Sequence, residues 1–220
     1  FMQNALHLNN GNENFTETAY ASGLSATEWS WAPLIADFDN DGNKDVYITN
    51  GILGATNDMD FISFIANENI QKRLSKGMEK EDMTFINEIP KKHVPNYFFK
   101  NNGNQTFKNT TKDWLSETPS YSNGGVYADL DNDGDLDLVV NNTNEKAFII
   151  KNNTKEHFDS RNYLKIKFKG SDKNTFGIGA KATVYSDSLK LSAENFNTRG
   201  FMSAVAPELH FGLGTHSEID

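Results

Sequence analysis

The sequence predicts an all-β protein interrupted by one helical segment. Short runs rich in β-branched and aromatic residues alternate with clusters of Asn, Gly and Asp, which is typical of strands joined by turns. One long stretch of the chain is repeated without gaps. The C-terminal part alternates apolar with polar or basic residues, as half-buried strands do. These three observations predict two related β-repeats followed by a smaller β-domain.

The repeat relates residues 6–50 to residues 98–142 at a constant offset of 92 positions. Each copy begins with an Asn-Gly turn and continues through a short apolar strand, an Asp-rich loop and a second strand. We therefore predict a first repeat over residues 1–56 and a second over residues 95–155. A register conserved over this length does not arise by chance, so the two copies should have the same local structure.

Residues 57–94 separate the two copies and have a different pattern. Asn57 or Asp58 is a candidate N-cap, and apolar residues follow at helical spacing. The pattern predicts a helix that ends near Gly77. We interpret the segment as a helical insertion.

The pattern of apolar and polar residues changes again near residues 155–161, where we place a domain boundary. The C-terminal domain is predicted to cover residues 162–220 and to be small and β-sandwich-like. Its candidate strands are residues 163–168, 180–185, 189–193 and 208–211.

The motif D-x-D-x-D-G-x-x-D occurs at residues 37–45 and again at residues 129–137. Several carboxylates within nine residues repel one another unless a cation lies between them. Oxygen ligands on flexible Asp side chains suit Ca²⁺, whereas Mg²⁺ requires a stricter octahedron. We expect Gly42 and Gly134 to make the sharp turn with positive φ. The candidate ligands of two calcium sites, with a backbone carbonyl at the fourth position of each set, are Asp37, Asp39, Asp41, Asn43 and Asp45, and Asp129, Asp131, Asp133, Asp135 and Asp137.

Other interpretations of these loops are weaker. An EF-hand requires a Glu at the twelfth position, where this chain has Ile48 and Val140, both in strand-like runs. A metal-free Asx turn is an alternative, although the motif occurs twice in register. A bound ion in such a loop most often stabilises a hairpin and takes no part in chemistry.

Composition excludes several classes of protein. The 21 Lys and Arg against 30 Asp and Glu give a net charge of −9, which argues against nucleic-acid binding. The chain has no Cys, which excludes disulfides and a thiolate nucleophile, and it has no apolar run long enough to span a membrane. The histidines are scattered, and no catalytic motif is present, so we do not expect an enzyme. Four aromatic residues could stack on sugars, although core packing is the more common role: Trp29, Trp31, Trp114 and Tyr121.

Several of these segments resemble a known pattern. The Asn-Asn-Gly-Asn-Gln-Thr-Phe run at residues 101–107 and the loop at 128–137 are similar to the FG-GAP/VCBS repeats of integrin-like β-propellers. The tail resembles the ASPIC/UnbV domain of cartilage acidic protein-like sequences in three places: Gly177-Ile178-Gly179-Ala180, Arg199-Gly200-Phe201 and His210-Phe211-Gly212-Leu213-Gly214.

The resemblance implies an exported, calcium-stabilised partial β-propeller with no established catalytic residues. Two metal-bearing repeats are fewer than the four to eight blades of a closed propeller, so we expect a fragment whose remaining blades belong to a longer chain. The expected function is a secreted or cell-surface binding or adhesion module with a protein or glycan ligand. The alternative is an accessory carbohydrate-binding or glycan-processing part of a polysaccharide-active protein.

Overall fold

The computed structural model describes residues 3–77, 87–187 and 189–219, and these residues are mostly β, as the sequence predicts. The helices are short: α1 (Ala19–Ser22), α2 (Met59–Ile65), α3 (Glu68–Leu74), α4 (Thr111–Trp114) and α5 (Thr154–His157). The strands are β1 (His7–Gly11), β2 (Asn14–Glu17), β3 (Ser30–Ala36), β4 (Asp45–Asn50), β5 (Val94–Pro95), β6 (Tyr97–Asn101), β7 (Phe107–Asn109), β8 (Pro119–Ser120), β9 (Ser122–Ala128), β10 (Asp137–Asn142), β11 (Phe148–Ile150), β12 (Asn162–Lys167), β13 (Lys181–Ser186), β14 (Leu189–Glu194) and β15 (Glu208–Gly214).

Two antiparallel sheets carry the Asp-rich loops. The first has four strands in the order β3-β4-β6-β7, and the second has three in the order β11-β10-β9. Strands β3 and β4 end the first sequence repeat, whereas β6 and β7 begin the second. Each repeat therefore straddles two sheets. Strands β1 and β2 form a separate hairpin, whose Asn9–Phe15 pair is equivalent to the Asn101–Phe107 pair between β6 and β7.

The core that joins the two sheets is apolar. Leu34 of β3, Tyr47 of β4, and Leu138 and Val140 of β10 are at most 2% exposed and belong to one cluster. Strand β3 alternates, so that Leu34 faces this cluster while Ile35 points to the opposite side of the sheet and stays partly exposed. The strands that end at the two Asp-rich loops thus pack against each other.

The described part of the insertion contains two helices in place of the one that we predicted. Asp58 caps α2 by accepting a hydrogen bond from the Asp60 backbone N–H at 3.1 Å. Asn67 interrupts the helical path with ψ 131° and caps α3 through its side chain, which accepts from the Asn69 N–H at 3.0 Å. The single predicted helix was wrong because a second capping residue lies in the middle of the pattern. Residues 78–86 of the predicted insertion lie outside the described part of the chain.

The C-terminal region consists of two antiparallel ribbons. Strand β12 pairs with β15, and β13 pairs with β14, which confirms the four strands predicted there. Both ribbons pack on one cluster of buried side chains, Val184, Leu209, Phe211 and Leu213. On β12 the apolar side chains face this cluster, and the alternate position, Lys165, faces the Asp-rich loops.

Candidate metal centre

The two Asp-rich loops lie side by side and have the same backbone shape. Loop 1 (residues 37–44) joins β3 to β4, and loop 2 (residues 129–136) joins β9 to β10. Gly42 and Gly134 have φ of 93° and 96°, as predicted from the sequence. The Asn40 side-chain amide of loop 1 donates to the Gly134 carbonyl of loop 2 at 3.0 Å, so the loops are directly connected.

Loop 1 and the first residue of β4 bring three buried carboxylates together. Asp37, Asp39 and Asp45 each offer an oxygen atom, and these atoms lie within 4.8 Å of one another. Asp41 lies at the rim, where its Oδ1 accepts from the Asn43 backbone N–H at 2.8 Å. The structure thus brings three of the five predicted ligand positions into one group of oxygens, whereas Asp41 and Asn43 lie beside that group.

Burial strongly affects protonation in loop 1. It raises the pKa of Asp37 to about 7, against the lowering effect of a hydrogen bond from the Gly42 N–H at 2.8 Å, and neighbouring carboxylates add to the rise. Burial likewise raises the pKa of Asp45 to about 7, although the Asn101 N–H donates to it at 2.9 Å. The loop therefore holds more negative charge than its surroundings stabilise, which favours a bound cation.

Loop 2 forms a related but more open cluster. Asp129, Asp131 and Asp133 make one group of oxygens within 4.8 Å, and Asp133 makes a second group with Asp135 and Glu156. Burial raises the pKa of Asp135 to about 6, and the charges of nearby Asp residues contribute to the increase. Glu156 lies on α5, outside the motif, and no spacing rule in the sequence identifies it as a neighbour of the loop.

The last Asp of each motif has a structural role. Asp45 accepts hydrogen bonds from the Phe38 N–H at 3.3 Å and the Asn101 N–H at 2.9 Å. Asp137 accepts from the N–H groups of Leu130 and Asn152, at 2.9 and 2.8 Å. Both residues therefore tie their loop to the strand that follows in the same sheet, in addition to any part in metal binding.

Several buried carboxylate oxygens have no hydrogen-bond donor. Among the described residues, the unpaired oxygens in the two loops are Asp39 Oδ1, Asp129 Oδ1, Asp133 Oδ2 and Asp135 Oδ1. A buried carboxylate oxygen without a donor is costly, and a cation with oxygen ligands removes that cost. The donor set is all oxygen and mostly anionic, so it fits a hard divalent cation such as Ca²⁺.

Four basic side chains contact the loops, and the sequence motif did not reveal them. Lys100 pairs with Asp39 and also with Asp41 Oδ2, at 2.7 Å for the latter. Three further pairs follow at distances of 2.8 to 3.0 Å: Lys151 with Asp131, Arg161 with Asp39, and Lys165 with Asp129. The sequence does contain a pattern that relates Lys100 to Lys151, because Lys-Asn-Asn occurs at 100–102 and again at 151–153.

The C-terminal β-domain packs directly on the loops through β15. The Gly214 N–H donates to the Asn40 carbonyl at 2.9 Å, and His210 Nε2 donates to Asn40 Oδ1 at 2.8 Å. A Cβ on Gly212 would lie 2.0 Å from Asp37 Oδ2, so only glycine fits this approach. Gly212 and Gly214 both lie in β15, whereas Gly177 and Gly179 lie outside the strands and have positive φ.

A cavity of about 540 Å³ lies beside the metal centre, between the two sheets. Its walls include Trp114 and Phe158 together with Lys100, Lys151 and Arg161, so aromatic and basic groups face one space. Trp31, by contrast, donates from Nε1 to the Gly51 carbonyl at 2.7 Å. Its ring packs on Phe201 of the C-terminal domain. Of these two tryptophans, Trp114 lines the cavity.

Comparison with protein families supports these features. An FG-GAP-like repeat family matches residues 2–48 and 81–140, and the family described as ASPIC and UnbV matches residues 170–220. No curated protein matches the chain. In the described residues no helix is both long and apolar enough to cross a membrane. The two sheets with their shared core agree with a partial β-propeller. The chain is an FG-GAP-like repeat protein with a C-terminal ASPIC and UnbV domain.

Proposed function

We propose that the protein is a calcium-stabilised binding or adhesion module that works outside the cytoplasm and has no catalysis of its own. The observation that carries the proposal is the pair of equivalent Asp loops, in which four buried carboxylate oxygens lack donors. FG-GAP-like repeats are typical of extracellular proteins, which supports the location.

The two proposed ions would be held by the residues that the motif aligns. In loop 1 these are Asp37, Asp39, Asp41, Asp45 and the carbonyl of Asn43, and in loop 2 the equivalent set is Asp129, Asp131, Asp133, Asp137 and the carbonyl of Asp135. Five such positions leave room for water in the six to eight oxygen ligands that Ca²⁺ takes. The ion would neutralise carboxylates that otherwise repel one another across each loop.

The proposed role of the ions is structural. Loop 1 touches loop 2 through Asn40, and it touches the C-terminal β-domain through Gly212 and Gly214. An ion in loop 1 would therefore stiffen the joint between both sheets and that domain. An ion at 100 times its dissociation constant stabilises the folded state by ~2.7 kcal/mol per site.

Thermal unfolding in calcium and in chelator tests this proposal. We expect the wild-type melting temperature to rise by about 10 to 20 °C in calcium, because two such sites together stabilise a protein of this size by ~5 kcal/mol. Asp39→Ala and Asp131→Ala should each reduce the rise, and the double variant should lose it. Asp113→Ala, which changes an exposed carboxylate, is the control and should keep it. Identical wild-type curves in calcium and in chelator would refute calcium stabilisation.

Carbohydrate binding is a second candidate function, favoured by the cavity beside the metal centre. Trp114 is 36% exposed and lines this cavity with basic and amide side chains, a combination that suits the apolar face and polar groups of a sugar. A glycan array should show binding that Trp114→Ala abolishes and Trp29→Ala preserves. An array without any retained glycan would remove this candidate.

A further inference from the structure

We propose that Lys100 and Lys151 are tethered counter-ions that occupy the cation positions of the two Asp loops when calcium is absent. Calcium must displace each lysine ammonium group, so these two residues set the calcium affinity of the protein. The inference rests on the proposed calcium binding and adds the residues that regulate it.

The first argument is the position of each ammonium group. Lys100 Nζ contacts Asp39 and lies 2.7 Å from Asp41 Oδ2. Lys151 Nζ lies 2.9 Å from Asp131 Oδ2 and 3.9 Å from Asp133 Oδ2. In both loops the lysine is therefore shared between the third and fifth positions of the motif. Asp39 belongs to the buried carboxylate group of loop 1, and Asp131 and Asp133 both belong to the first group of loop 2, so each lysine contacts at least one carboxylate of a proposed site.

The second argument is that the backbone beside each lysine is held in the same way. Each is followed by an Asn whose backbone N–H donates to the last Asp of the motif, at 2.9 Å for Asn101 to Asp45 and 2.8 Å for Asn152 to Asp137. This hydrogen bond fixes the chain next to the lysine against the end of the loop. The same arrangement beside both loops favours a shared role for the two lysines, since an incidental surface pair would not have the same hydrogen bond beside it in both sheets.

The third argument is electrostatic. A lysine ammonium carries a permanent positive charge at neutral pH, so it repels a calcium ion bound to the same carboxylates. Lys100 has a nearby alternative position, because its Nζ already lies 5.6 Å from the centre of the Trp114 ring at the wall of the cavity. Its exchange with calcium is thus a short movement of one side chain.

The two loops should differ in the size of the effect. The Lys100 side chain is 28% exposed and that of Lys151 is 52% exposed, so the ion pairs of Lys100 are less screened by water. Lys151 also forms an ion pair with Glu156, at 3.1 Å between Nζ and Oε1, so less of its attraction is directed at the motif. Removal of Lys100 should therefore strengthen calcium binding more than removal of Lys151.

Calorimetric titration of chelator-stripped protein with calcium chloride tests the inference. Lys100→Met keeps most of the aliphatic chain and removes the charge, and we expect the dissociation constant of loop 1 to fall about tenfold or more. Lys151→Met should give a smaller fall at loop 2. Lys100→Arg should bind like the wild type. The control is Lys146→Met, which changes an exposed lysine between β10 and β11 and should leave both sites unchanged.

Thermal unfolding of the same variants separates competition from a purely structural role. Lys100→Met should melt lower than the wild type in chelator and regain the difference in calcium. Calcium binding to the wild type with equal or weaker binding to both Met variants overturns the inference and leaves the proposed function intact. If only the Met variants bind calcium, the inference holds and the proposed function of the wild type fails. If no form binds calcium, both fail.

Discussion

Substitution of Gly212 by alanine should separate the C-terminal β-domain from loop 1. The added Cβ would lie 2.0 Å from Asp37 Oδ2 and 2.5 Å from the Cα of Asn40. The second contact is with a backbone atom, which a change of side-chain rotamer cannot relieve. Overpacking of this kind costs ~1–3 kcal/mol. The displaced strand would also lose the hydrogen bonds from His210 and Gly214 to Asn40, which contribute roughly 1 kcal/mol each.

The expected loss of stability is therefore about 3 to 5 kcal/mol, which corresponds to a melting temperature roughly 6 to 20 °C lower for a protein of this size. Differential scanning calorimetry measures the change. Gly54→Ala is the matched control, because its nearest new contact is a side-chain methyl group of Ile89 at 3.3 Å, which can move. Hydrogen exchange should also become faster in loop 1 of the Gly212 variant only. If Gly212→Ala melted like the wild type and kept loop 1 protected, the described packing of β15 on the loop would be wrong.

Two further perturbations test the packing around the metal centre. Burial lowers the pKa of His210 from 6.5 to about 4, with a contribution from the nearby Lys165 ammonium that the Asp129 carboxylate partly offsets. The unfolded chain therefore takes up a proton first as the pH falls. Stability that is present above pH 6.5 should be lost towards pH 4, by up to about 3 kcal/mol. Urea midpoints at pH 7 and 4.5 should show a smaller acid loss for His210→Gln than for the wild type, and equal losses would contradict this account. Leu34→Ala should destabilise the protein by ~2–5 kcal/mol because the side chain is fully buried between the sheets, whereas Leu130→Ala, at 52% exposure, should have little effect. Equal urea midpoints for the two Leu variants would show that the shared core does not join the sheets.

The local structure of the loops could be predicted because it depends on short-range rules. Gly42 and Gly134 have the positive φ that the motif requires, and the strands flank the loops where β-branched residues cluster. The pairing of strands was harder to predict. An offset of 92 residues identifies equivalent segments, but it does not say that β6 pairs with β4 of the preceding copy. That pairing depends on contacts across the insertion, which no local pattern records.

The basic residues around the loops show the same limitation. Lys100 follows the insertion and Lys151 does not, so the two lysines lie at different distances along the chain from their Asp loops. A search at fixed offset therefore misses their equivalence. The shared Lys-Asn-Asn sequence hints at it, and the pairing of β6 and β11 beside their loops, together with the Asn N–H bonds to Asp45 and Asp137, establishes it.

Strand β15 explains why the C-terminal domain belongs to the metal centre. Its sequence alternates, so that Leu209, Phe211 and Leu213 fill the core of the C-terminal domain. The other face carries His210 and Gly212, which meet loop 1. A larger side chain at Gly212 would stabilise a strand in isolation, because glycine weakens strand interiors, yet it would collide with Asp37. The glycine is therefore best explained by the close approach to the loop. Domain docking and the geometry of the Asp37 carboxylate consequently depend on each other, so a change in either should alter both the structure of loop 1 and the stability of the joint.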